Sequence, residues 1–221
     1  MMAKTAEGSS KSQADIRVYA VVHKAFRLAT TRLVDATDKL EPSALQGVIG
    51  SRWAFYKAVL HHHHHTEDDS IFPALLAVRP DMGALIESLE SGHQELVGVM
   101  DAVDSAVSAF GQQPDAAHQS SLHDAMAAVR DMFFPHLDIE DAQVLPAIAE
   151  SVPRAEWARL DKAALKSIPR EHLPLAVGSL DEIIQGMPKD EQPPPPPPPI
   201  RLMLTLSWRK KWSAFIEPLL V

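Results

Sequence analysis

Apolar positions recur every three or four residues along most of this chain, and they almost never alternate. From about 13 to 38, Ile16, Tyr19, His23, Phe26 and Leu33 fall on one stripe. Pro42 and Ser43, following Glu41, read as a helix start. A second helix runs from there to about 78, with Trp53, Tyr56, Leu60, His63, Glu67 and Ile71 on one face. Pro73 should kink it, because proline removes a backbone donor and crowds the preceding turn. Arg79-Pro80-Asp81 is a break, with Asp81 placed to cap the next helix. The third helix covers about 82–109 and turns Ile86, Leu89, His93, Val97, Met100, Val103 and Val107 inward. After a break at Gly111 to Asp115, the fourth, about 116–151, turns Leu122, Met126, Val129, Phe133, His136, Glu140 and Val144 inward, with Pro135 and Pro146 distorting it. Four long amphipathic segments with short connections predict an all-α fold, an antiparallel up-down four-helix bundle.

The bundle occupies residues 13–151. Residues 1–12 are expected to be disordered. Residues 152–221 form a C-terminal extension: two short helices near 153–166 and 169–187, seven consecutive prolines expected to make a stiff polyproline II strut, and an apolar, basic tail, IRLMLTLSWRKKWSAFIEPLLV. The tail is expected to fold back on the bundle exterior. Its Arg, Lys and Trp residues leave a membrane-surface role as the alternative.

One stretch is written twice. Residues 61–75 read HHHHHTEDDSIFPAL and residues 136–148 read HLDIEDAQVLPAI. Both give His, three residues, Glu-Asp, two residues, a β-branched aliphatic, a large apolar residue and Pro-Ala. His63, Glu67, Asp68, Ile71, Phe72, Pro73 and Ala74 thus match His136, Glu140, Asp141, Val144, Leu145, Pro146 and Ala147. Residues four apart share a helix face, so each copy sets an imidazole beside a carboxylate, a pair suited to a borderline metal ion. His61 to His65 could pass for an affinity tag, but a tag is not followed by a copy of its own context.

Heights agree with this reading. His23 and His63 lie about 18 and 22 residues from the first break, and His63 and His93 about 17 and 13 from the second. His93 and His136 lie about 20 and 23 from the third. At about 1.5 Å rise per residue these match to within a turn or so. All four helices therefore deliver a histidine to one layer, together with Glu67 and Glu140. Burying two carboxylates without compensation is prohibitive, and a pair of cations would neutralise them. The other histidines of the run, His61, His62, His64 and His65, are expected to point away from the layer, with His62 and His65 as candidates for a supporting contact. His118, His123 and His172 carry no pattern. Phe26 and Phe133 should wall the site. Tyr19 and Tyr56 are expected in the core, with a phenol reaching into the site as the sharper alternative.

Composition narrows the chemistry. The chain of 221 residues has no cysteine, which excludes disulfides, thiolate metal sites and a cysteine nucleophile. A net charge of −8 argues against nucleic acid as a main partner. No apolar run approaches the roughly 18 residues of a membrane span. The opening MMAKTAEGSSKSQ has no apolar leader core, so a cytoplasmic location is expected.

The order His, His-x3-Glu, His, His-x3-Glu on consecutive helices, with "EDDSIFP" and "FFPHLDIEDAQVLP", resembles the hemerythrin-like, or HHE cation-binding, domain over roughly residues 13–151. The tail is similar to that of actinobacterial members. The resemblance implies a non-haem site of two Fe ions with an oxo or hydroxo bridge. Glu67 and Glu140 would bridge, and His23, His63, His93 and His136 would be terminal ligands. Asp141, five residues after His136, is the fallback for Glu140. Oxygen-carrying members have a further histidine in the third helix where this chain has Val97. With four histidines, two bridging carboxylates and a bridging oxygen, roughly two of twelve coordination positions stay open; a fifth histidine would leave one. The site is therefore expected to be more open than an oxygen carrier's, which suits turnover better than reversible carriage. Glu90, otherwise a surface residue, is a candidate to close one position. The implied function is binding, sensing or turnover of O2, NO or H2O2, and as an enzyme a catalase-like or other di-iron oxidoreductase. Competing readings are an iron-handling or ferroxidase protein, a structural zinc site, and a protein-interaction module. The last rests on LAVGSLDE (175–182), which is similar to peptides that load cargo into encapsulin shells.

Overall fold

The computed structural model describes residues 13–221, so the expectation of disorder for 1–12 lies outside the described residues. Helices account for most of it. Among the described residues the only β feature is an isolated antiparallel bridge between Gln13 and Pro153, which ties the start of the bundle to the start of the extension.

Helix α1 spans Arg17–Lys39, and a short α2, Pro42–Gln46, precedes α3, Ile49–Thr66. The long second helix expected from residue 42 is thus divided at Gly47 and Val48. Glycine is the weakest helix former after proline, and Val48 leaves the helical region (φ −125°, ψ −35°). Then come α4 (Phe72–Val78), α5 (Gly83–Gln112), α6 (Ala116–Ile139) and α7 (Leu145–Ser151). The α3–α4 rod, α5, the α6–α7 rod and α1 pack in a closed ring of four antiparallel neighbours. Asp115 caps α6, accepting from His118 N at 2.9 Å. Asp81 does not cap α5; its carboxylate is taken by Arg79 at 2.7 and 2.9 Å.

The duplicated motif produces the same local structure twice. A π-turn, Glu67–Ile71, joins α3 to α4, and another, Glu140–Val144, joins α6 to α7. Pro73 and Pro146 have no N–H, and each ring crowds the carbonyl four residues back. The turn ahead of each widens. Phe72 N–H donates to Glu67 O, and Leu145 N–H to Glu140 O, each five residues back. Each π-turn begins on a motif glutamate.

Two apolar clusters fill the bundle. One gathers Leu33, Trp53, Leu60, Met100, Phe110, Leu122 and their neighbours. The other gathers Phe72, Leu75, Ile86, Leu145, Ile148 and Trp157 with theirs. The histidine layer lies between them.

The extension contributes α8 (Arg154–Ser167), α9 (Leu173–Gly186), α10 (Pro198–Met203) and α11 (Arg209–Ile216). The proline run is non-helical only to Pro197; Pro198 and Pro199 open α10, where a missing N–H and a fixed φ suit the first turn. Helix α11 returns to the bundle, and Trp212, Ile216 and Leu219 join the larger apolar cluster. Residues 175–182, rather than forming a free peptide, are built into α9. Gly178 lies beneath Trp212, where an added Cβ would sit 2.6 Å from Trp212 Cβ. Glu182 accepts from Arg32 at 2.7 and 2.9 Å and from Trp212 Nε1 at 2.8 Å. No helix among the described residues is long and apolar enough to cross a membrane.

Candidate metal centre

Each of the four rods sends a histidine into the layer between the apolar clusters. His23 comes from α1, His63 from α3, His93 from α5 and His136 from α6. Glu67 and Glu140, at the head of the two π-turns, are fully buried among them. The structure therefore brings together all six side chains singled out by spacing.

The carboxylates divide their oxygens between two groups of imidazoles. Glu67 Oε1 is 3.3 Å from His63 Nε2, and its Oε2 is 3.6 Å from His93 Nε2. Glu140 Oε2 is 3.6 Å from His23 Nε2, and its Oε1 is 3.3 Å from His136 Nε2. Two donor clusters result. His23, His63, Glu67 and Glu140 form one and His64, His93 and His136 the other, with donor atoms in each within 4.8 Å of one another.

His64 is a correction. Against the expectation that it points away from the layer, it is buried and stacks on His93 with ring centroids 4.0 Å apart. The signal was present in the sequence. Leu60, His64, Glu67 and Ile71 follow at spacings of four, three and four, so His64 belongs to the inward stripe as much as His63 does. A fifth imidazole in the layer removes the basis for reading the site as more open than an oxygen carrier's. His61, His62 and His65 do lie outside it. His62 Nε2 meets Ala164 O at 3.2 Å, and exposed His65 pairs with Asp69 at 3.1 Å.

The repeated Asp of the motif also has a place. Asp141 Oδ1 accepts from His23 Nδ1 at 2.6 Å, and Asp68 Oδ1 from His93 Nδ1 at 2.7 Å. Each motif copy thus orients the histidine of a neighbouring helix that carries no motif, leaving Nε2 turned to the layer. Asp141, the fallback ligand, is occupied behind His23, while the Glu140 carboxylate lies in the layer. Arg27 holds Asp141 in turn, at 3.2 Å. Gly92 makes room for His136: an added Cβ would come within 3.3 Å of its Nδ1.

The approximate two-fold pattern breaks at Tyr19, four residues before His23, where the corresponding position before His93 is Leu89. The Tyr19 hydroxyl donates to Glu67 Oε1. Burial, and then the Glu67 charge, push its ionisation well above the usual phenol range, so it remains a donor. Tyr56 is a core residue away from the layer, sharing a 2.7 Å hydrogen bond with Thr30.

Electrostatics favour neutral imidazoles. Burial lowers all five histidines, His93 to about 3 and His136 to about 4. Burial also raises Glu140 to about 8 and, with the neighbouring Glu140, raises Glu67 well above the carboxylate range. Six buried side-chain atoms have no hydrogen-bond partner among the described residues: Nε2 of His23, His63 and His64, Oε2 of Glu67, and both oxygens of Glu140. Leaving one such atom unpaired costs about 1–3 kcal/mol, and all six converge here. Nitrogen lone pairs and carboxylate oxygens with no protein donor to satisfy them fit cations.

Residues 14–148 match the family model described as the hemerythrin HHE cation binding domain. Neither the comparison with curated proteins nor that with solved structures gives a match.

Proposed function

This chain belongs to the hemerythrin HHE cation-binding family, and from that premise we propose that it is a non-haem di-iron protein that binds and turns over a small oxidant, O2, NO or H2O2. The observation that carries the reading is the division of the four carboxylate oxygens between two histidine groups, which suits two ions bridged by Glu67 and Glu140. His23 and His63 would hold one ion, and His64, His93 and His136 the other. Iron at these positions supplies a redox couple and Lewis acidity. Five histidines and two bridging carboxylates offer roughly nine of the twelve positions of a six-coordinate pair. The His23/His63 side would offer one protein donor fewer, so exchangeable positions would concentrate there, beside Tyr19.

The surrounding residues suit that chemistry. Tyr19 holds a proton at its hydroxyl on the less saturated side and orients Glu67. Phe26, Phe72 and Phe133 ring the histidines and exclude water; Phe26 stands 5.0 Å from His63 and Phe72 5.9 Å from His93, centroid to centroid. Asp141 and Asp68 keep the His23 and His93 rings oriented. A set of five histidines and two glutamates supports this reading over iron storage, whose ferritin-like sites are rich in glutamate. The net charge of −8 supports a small-molecule rather than a nucleic-acid partner.

The test is metal content per chain with the optical spectrum of untagged protein, followed by titration with peroxide and NO. About two irons per chain, with bands that respond to either titrant, are expected. Zinc alone after iron reconstitution would sink the reading. Retained iron with no response to any oxidant would refute turnover while leaving the metal assignment in place.

A further inference from the structure

The seam between α1 and α3 is not closed by the bundle itself. The extension roofs it with α8, α9 and α11, and between roof and seam lies a cavity of about 190 Å³. It is long. Arg52 lines one end and His63 the other, eleven residues apart on α3, or about 16 Å along the helix axis. Its walls are almost wholly apolar; Val22, Ala29, Phe55, Val59 and Phe215 are left only partly buried beside it. Dry apolar cavities of about 150 Å³ bind molecules the size of benzene, so this one has room for an apolar guest, and its shape favours a chain over a ring.

The two ends differ in charge. Arg52 is packed over the Phe215 ring, 4.7 Å from its centroid. Its Nε donates to Phe215 O at 2.9 Å and its Nη1 to Ser51 Oγ at 3.0 Å. No carboxylate among the described residues pairs with it; Arg154, Arg170 and Arg201 also lack such a pair, but of these four Arg52 alone lines the cavity. A guanidinium at the rim of an apolar channel, with its charge unmatched, is a receptor for an anion. Asp161 lines the end near Trp157 and Tyr19 and would repel one there.

We infer that this cavity binds an elongated amphiphile with one anionic headgroup, a medium-chain carboxylate of about eight carbons, its head at Arg52 and its chain running along α3 toward His63. This goes beyond the proposed oxidant chemistry and does not depend on it. The extension would then serve to build a ligand site on the family's bundle.

The experiment is calorimetric titration of the full chain with octanoate, octanol, octyltrimethylammonium and acetate. Octanoate is expected to bind one per chain, octanol more weakly, and the other two not at all. Arg52→Gln should weaken octanoate by about tenfold or more, the worth of a hydrogen bond to a charged group, and leave octanol unchanged. Ala29→Phe, which fills the channel, should abolish both; Val59→Phe is the second filling variant should the first fail to fold. No binding of octanoate, binding indifferent to both filling variants, or a preference for the cationic amphiphile would each overturn the inference. Uptake of xenon without any amphiphile would do the same and make the cavity a store for gases.

Discussion

The pairing of each motif aspartate with a histidine of another helix leads to a selective effect on metal retention. Asp68 backs His93 at 2.7 Å and Asp141 backs His23 at 2.6 Å, and both histidines are almost completely buried, at 2% and 1% exposure. Removing such a supporting carboxylate costs about 10–100-fold in metal affinity, or about 1.4–2.7 kcal/mol. Asp68 is the less exposed of the two, 27% against 39%, so water replaces it less well and Asp68→Ala should fall nearer the upper bound. The two aspartates serve histidines in different donor clusters. Each single variant should therefore lose one ion preferentially, and the double variant both. Native mass spectrometry of iron-loaded protein during a timed chelator challenge reads this directly: a one-iron species should accumulate for Asp68→Ala and for Asp141→Ala, ahead of the unsubstituted chain. If both variants shed two ions together, or resist the chelator as the parent does, the assignment of one aspartate to each ion is wrong.

Three further outcomes are expected. His64→Leu should stabilise the metal-free protein, because a buried nitrogen without a partner costs about 1–3 kcal/mol, while weakening metal retention; thermal melts with and without iron should shift in opposite directions. Gly178→Val should cost about 1–3 kcal/mol by overpacking, since even a Cβ would meet Trp212 at 2.6 Å; a lowered Tm with red-shifted tryptophan emission would report α11 lifting from α9. In metal-free protein Glu140, pushed up to about 8, stays protonated in the fold while the unfolded chain ionises near 4.5, so stability falls as pH rises between those values. His93 and His136, lowered to about 3 and 4, act in the opposite sense, with stability lost as pH falls below 6.5. Above pH 7 only the carboxyl contribution remains: the metal-free Tm should drop from pH 7 to 8.5, and iron should abolish the drop.

Much of the site was legible because its chemistry is periodic. A His-x3-Glu pair occupies one helix face whatever the rest of the fold does, and its repetition identified two equivalent helices. The heights of the four histidines followed from helix rise and break positions alone. The four-residue spacing of His63 and Glu67 does not include His64, which lies on the neighbouring stripe through Leu60, Glu67 and Ile71, and packing buries both histidines in separate donor clusters. The function of Asp68 and Asp141 was not legible, because each acts on a histidine of a different helix, and that contact exists only after packing.

By itself, then, the sequence determined the all-α class, the four rods, the layer they share and the residues bearing nitrogen and carboxylate into it, since hydrophobic period, turn residues and i,i+4 spacing are local properties. Tertiary structure decided what depends on how the rods meet. It set the division of carboxylate oxygens between two imidazole groups, the entry of His64, the crossed support by aspartates and the widened turns that carry the glutamates inward. It also decided the fate of the extension, whose proline run and basic tail carry no register of their own. Only the close approach of α9 and α11 at Gly178, and the burial of Trp212 and Ile216 against the bundle, place that segment over the seam between α1 and α3.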